Sequence, residues 1–134
     1  MLLAACGSSA TAPPGRGAAG AKATITRAFR ALARGDGATV CSLTTAAGRR
    51  SLAASLPHAS CAKVVALASQ RLTTAQRAAL ASVVIQHVTV SGDQATVTGA
   101  DVSARRGSLK GFIDSHSEPT HLSRQPDGSW KISG

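Results

Sequence analysis

Near Ala81 the hydrophobic period of this 134-residue chain changes from helical to alternating, and that change confines the fold to helices followed by a small antiparallel sheet. Upstream, Ile25, Ala28, Phe29 and Leu32 recur at i, i+3, i+4 and i+7, the apolar stripe of a helix over Ala21 to Arg34. Arg27, Arg30 and Arg34 take its other side. Gly35-Asp36-Gly37 stops this helix, with Asp36 as N-cap of a short turn carrying Val40, Cys41 and Leu43. Thr44 or Thr45 caps a helix through Leu56, which Pro57 ends. Ser60 opens Cys61 to Gln70, with Val64, Val65, Leu67 and Ala68 as its apolar set. Thr73 and Gln76 have capping-box spacing and start Thr74 to Leu80.

Beyond Ala81, Val84, Gln86, Val88 and Val90 share one face of a strand, and Ser91-Gly92-Asp93 turns into Ala95-Thr96-Val97-Thr98 to make a hairpin. Asp101 to Ser117 reads two ways. Arg105-Arg106-Gly107 makes a turn, and Leu109, Phe112 and Ile113 form either a third strand or a packed loop. Thr120 to Arg124, the turn Gln125-Pro126-Asp127-Gly128 and Ser129 to Ser133 form a second hairpin, with Trp130 and Ile132 on one face. Residues 22–134, about 110 in all, suit one small α+β domain with one core.

The N-terminus carries an address. Leu2-Leu3-Ala4-Ala5-Cys6-Gly7 resembles a bacterial lipobox, in which the small residues fit a peptidase cleft and Cys6 takes a diacylglyceryl group. A secretory signal needs a basic segment and about 7–15 apolar residues. The residues before Cys6 are too few, so Met1 to Ala5 is expected to be the tail of a signal that starts upstream, residues 1–6 in all. Residues 7–21, rich in Gly, Ser, Ala and Pro, read as a flexible tether. The expected location is the outer face of the cytoplasmic membrane, with attachment by lipid. Removing Cys6 from three cysteines leaves Cys41 and Cys61, for which an oxidising compartment favours a disulfide over two buried free thiols.

The formal charge of +9 tempts a nucleic-acid reading. Recognition of single strands recruits aromatic surfaces, however, and the chain has only Phe29, Phe112 and Trp130 and no Tyr. No nucleic acid is expected. The basic surface Arg27, Arg30 and Arg34, joined by Arg49 and Arg50, reads as a solvated helix face or as a contact for acidic headgroups beside the anchor.

The order of elements carries a family resemblance. Ala28-Phe29 with Gly35-Asp36, Val88-Thr89-Val90 with Gly92-Asp93, and the closing Asp127-Gly128-Ser129-Trp130-Lys131-Ile132 resemble the NTF2-like superfamily shared with SnoaL-type proteins. The likeness is to its exported actinobacterial lipoprotein type, which often carries a helix-region cysteine pair resembling Cys41 and Cys61. The resemblance implies an α+β cone of N-terminal helices on a curved antiparallel sheet, with Trp130 filling its narrow end. It also implies a pocket or core of Phe29, Leu32, Val88, Val97 and Trp130, open to a small apolar ligand, and a possible homodimer through the outer sheet face.

Two kinds of function remain. Without Tyr, the ketosteroid isomerase type of oxyanion hole is missing. A dehydratase- or isomerase-like enzyme would use His87 with Asp101 or Asp114. Asp114, His116 and Glu118 alternate, with His121 nearby, but Pro119 interrupts the strand and His121 has the opposite parity, so a solvated loop is expected there and no metal. No phosphate loop, nucleophile elbow or His-Glu-x-x-His motif occurs, and no cofactor is expected. The expected function is therefore a non-catalytic binding or interaction domain.

Overall fold

The computed structural model describes residues 17–112 and 118–134. Cys6, the lipobox and most of the expected tether, with Ile113, Asp114 and His116, lie outside the described residues. The first helix, α1 (Gly17–Arg34), begins inside the stretch read as tether, and its first turns already bury Gly20 and Ala21. Four shorter helices follow: α2 (Gly37–Ser42), α3 (Ala46–Ala54), α4 (Cys61–Gln70) and α5 (Thr74–Ala81).

Each of these four starts at the cap that the sequence predicts. The Asp36 carboxylate accepts from the Thr39 N–H at 3.1 Å and from the Thr39 hydroxyl at 2.7 Å. Thr45 Oγ1 accepts from the Gly48 N–H at 3.0 Å, and Ser60 Oγ from the Lys63 N–H at 3.2 Å. Thr73 and Gln76 complete a reciprocal capping box at 3.1 and 3.0 Å. Caps of this kind supply partners to N–H groups that the first turn of a helix leaves unpaired.

Short-range contacts of this type hold three carboxyls below their ordinary value of 3.8. The Thr39 hydroxyl and N–H lower Asp36, the Thr98 N–H and hydroxyl lower Asp101, and the Ser129 hydroxyl and N–H lower Asp127. A folded value below the unfolded one means that the stabilisation is present above about pH 4 and is lost as the pH falls through the lowered values. The urea midpoint is therefore expected to hold steady from about pH 7 to about pH 5 and to drop below about pH 4. Asp36→Asn should make that drop shallower; a profile that the substitution leaves unchanged would count against the assignment.

The strands are β1 (Val83–Ile85), β2 (Thr89–Ser91), β3 (Gln94–Val97), β4 (Val102–Ala104), β5 (Thr120–Arg124) and β6 (Trp130–Ile132), with a 3₁₀ turn at Gly99–Asp101. They form two antiparallel sheets, a ribbon β1–β4 and a four-stranded sheet ordered β2–β3–β5–β6. In the first hairpin Ser91 opposes Gln94 across Gly92-Asp93, and Gly92 at φ 59° supplies the positive φ that a type II′ turn needs at its first central position. The second hairpin pairs Leu122 with Ile132 and Arg124 with Trp130.

The NTF2-like cone is not what these strands build. The mixed α+β order and the helices-first arrangement stand, but the sheets are neither curved into a cone nor closed. Closure needs strands long enough to tilt and stay paired around a bend. Here the segment Gln86–Val88 interrupts one side of the pair and the Gly99–Asp101 turn interrupts the other, which leaves strands of three to five residues. The interruption also shifts the alternation. Val83 and Ile85 are buried where Val84 was expected, Val88 is buried beyond the break, and Val90 is exposed on the edge strand β2.

Helix α1 lies between the sheets and the other helices. Its Ala21 and Ile25 join Val83, Ile85, Val88, Ala95, Val97, Leu122 and Trp130 in one core, against which Phe29, Val102 and Ile132 pack. Ala28, Ala31 and Ala33, also buried, let neighbouring backbones approach closely. Arg77 on α5 ties the helical layer together: its guanidinium donates to the Ala33 carbonyl, to Ser69 Oγ at 3.1 Å and to the Ser69 carbonyl at 2.6 Å. A cation thus meets carbonyls near the C-terminal ends of α1 and α4, where the helix dipole is negative. Gly107 packs against α5 at φ 70°, and a Cβ there would stand 2.1 Å from the Ala75 carbonyl oxygen, so only glycine fits.

Candidate functional site

The amphipathic stripes of the helices do not close completely on one another. Between α1, α2, α3 and α4 they leave a cavity of about 510 Å³. Phe29 and Leu32 of α1, Val40 of α2, Leu52 of α3, and Val64, Val65 and Ala68 of α4 line it, and Leu72, Arg71, Gln76 and Phe112 complete the wall. The Phe29 and Phe112 rings meet edge to face with centroids 6.3 Å apart. This volume falls in the range of small-molecule sites, about 300–1,000 Å³.

The five residues expected to form a pocket or core divide between the helical cavity and the sheet core. Leu32 lines the helical cavity, Phe29 lines it and also packs against the sheet core, and Val88, Val97 and Trp130 belong to that core. Trp130 is 2% exposed, and its buried Nε1 has no hydrogen-bond partner among the described residues. Thr24 Oγ1 donates to the Trp130 carbonyl at 3.3 Å, which fastens α1 to β6. Leu52 and Leu72 carry no periodic signal that places them at a cavity. Val64, Val65 and Ala68 were visible as the apolar stripe of α4; the missing step was that this stripe meets α1 with space to spare.

Cys41 and Cys61 form the expected disulfide, which joins α2 to the first residue of α4 across a sequence separation of 20. Both cysteines are half-buried. Gly37 makes the approach possible, since a Cβ there would lie 2.6 Å from the Ala62 carbonyl oxygen.

The basic stripe is not a flat face. Arg27, Arg30 and Arg34 line a groove of about 570 Å³ between α1 and β1, together with Lys22 and with Arg105 from the turn after β4. Lys22 Nζ donates to the Gln86 carbonyl at 3.3 Å, and Arg34 lies 3.6 Å from the Asp36 carboxylate. Arg49 does not join the stripe; it turns inward and donates to the Cys41 and Thr44 carbonyls at 3.2 and 2.6 Å. Arg50 is exposed and lies outside the groove lining. The contribution of Arg105 had no signal in helical spacing, because pairing of β1 with β4 brings it there.

His87 is exposed, with Nε2 at 3.4 Å from Thr89 Oγ1, and it lines none of the cavities described. Its charge contributes to lowering Asp101, whose carboxylate is already engaged by the Thr98 N–H and hydroxyl at 3.0 and 2.8 Å. His121 lies on the outer sheet face with Nδ1 at 3.4 Å from Thr96 Oγ1, and Glu118 is exposed. Among the described residues no three His, Cys, Asp or Glu side chains come together as a metal site. The outer face that a dimer would use carries Thr89, Gln94, Thr96, His121 and Ser123 in register. No helix among the described residues is long and apolar enough to cross a membrane. No family model, no curated protein and no solved structure matches this chain, so with the cone also missing the resemblance to the NTF2-like and SnoaL-type proteins does not hold.

Proposed function

We propose that this chain is a non-catalytic binding module, held at the outer face of the cytoplasmic membrane by a lipid on Cys6, whose helical cavity takes a small apolar ligand. The observation that carries the reading is the cavity itself, walled by Phe29, Leu32, Leu52 and Val64 beside the packed core. The disulfide supports the compartment, because such bonds persist where the surroundings are oxidising. The cationic groove along α1 supports proximity to anionic headgroups, each basic residue near such a surface contributing about 1 kcal/mol.

Nile red, a neutral apolar dye, tests the cavity. It is expected to bind the full chain with a blue-shifted emission, and Ala68→Trp, which fills the cavity from α4, should abolish the shift while the circular dichroism is kept. Equal binding by the variant would sink the reading. The tether is tested by the intact mass of protein extracted from its host's membranes: a diacylated N-terminal Cys6 supports it, and an unmodified Cys6 thiol refutes it.

A further inference from the structure

The rim of the helical cavity limits the chemistry of its ligand, if that cavity is the binding site argued above. Its interior walls, Phe29, Leu32, Leu52, Val64 and Leu72, offer only carbon. Among the described residues of the lining the one charged side chain is that of Arg71, the exposed C-cap of α4. The ion pairs among the described residues are Arg34 with Asp36 and Arg124 with Asp93, so the Arg71 guanidinium has no carboxylate partner there. Gln76, the other polar residue of the lining, is already engaged. Its Oε1 accepts from the Thr73 N–H at 3.0 Å, and its Nε2 donates to the Lys110 carbonyl at 3.3 Å.

An apolar cavity with a cation at its mouth that has no carboxylate partner among the described residues is complementary to a molecule that is apolar along its length and anionic at one end. A guanidinium can hold a carboxylate or phosphate by two parallel charge-assisted hydrogen bonds, which an alcohol cannot accept with the same strength. The cavity's volume, about 510 Å³, lies in the lower half of the usual small-molecule range and suits one tail better than two. We propose that the cavity holds the tail of a single-chain anionic amphiphile, with the anionic headgroup seated on Arg71.

Calorimetric titration of the full chain with octanoate, decanoate and dodecanoate below their micelle concentrations tests this. Burial of each methylene predicts an affinity gain of about fourfold, until the tail fills the cavity. Dodecanoate should bind more tightly than dodecanol, and dodecylamine less tightly than either. Arg71→Gln, at an exposed position, should weaken dodecanoate about tenfold and leave dodecanol unchanged. If dodecanol and dodecanoate bind alike and Arg71→Gln moves neither, the amphiphile assignment falls while the cavity reading stands. If no member of the series binds and Nile red also fails, both fall.

Discussion

Replacing Cys41 and Cys61 together by Ala is expected to destabilise the domain by about 3 kcal/mol, because the bond closes a loop of 20 residues that the unfolded chain would otherwise be free to open. For a domain of this size that corresponds to a fall in melting temperature of about 10–20 °C. The native contacts make the loop dependent on the bond. Helix α3 sits inside it and buries only Gly48, and the stretch from Ser55 to Ser60 returns through His58 at φ 61° with no buried residue. Backbone hydrogen bonds to β6, from the Thr45 N–H to the Ile132 carbonyl and from the Ile132 N–H to the Leu43 carbonyl, both at 2.8 Å, fix the start of this segment, and the disulfide fixes its far end. Leu52 is the part of α3 that lines the cavity, so reduction should weaken Nile red binding as well as stability. Thermal unfolding followed by circular dichroism, with and without reductant, checks both claims. Wild type in reductant should match the double variant, and a shift of less than about 3 °C would show that the loop is held by other contacts.

The residues that announced themselves in the sequence are those whose role is local. Asp36, Thr45, Ser60 and Thr73 cap helices because a side-chain oxygen and an N–H a few residues on meet without help from the rest of the fold. Gly92 and Gly128, both at positive φ, mark turns for the same reason. What failed depended on how elements meet. Val84 and Val90 follow the same parity as Val88, yet the break at Gln86–Val88 changes which side faces the core, and alternation carries no information across a break. The cone was inferred from the order of motifs, and order does not determine whether short strands curl. Phe29 and Leu32 were identifiable as an inward stripe. Arg71 was not, because a cation after a helix marks a cavity mouth only once the neighbouring helices have defined the cavity.

Trp130→Ala is expected to cost about 3–5 kcal/mol, the range for removing a large buried aromatic side chain. Against a total stability of about 5–15 kcal/mol for a small domain, this leaves a marginal fold. The ring is the largest fully buried side chain of the core; it packs with Ile25 and Leu122, and the Arg124 guanidinium lies 4.9 Å from its centroid. Its indole N–H is a separate matter. Nε1 is buried with no partner among the described residues, so a desolvation cost of about 1–3 kcal/mol is expected for the indole that a phenyl ring would not carry. Trp130→Phe loses ring contacts and leaves a small void, but it also removes that cost. Its destabilisation is therefore expected to be less than half that of Trp130→Ala. Because Trp130 is the chain's single Trp, both variants lose the fluorescence signal, and urea unfolding must be followed by circular dichroism. A Phe variant as unstable as the Ala variant would mean that the indole N–H contributes to stability, and the buried donor would then require a partner.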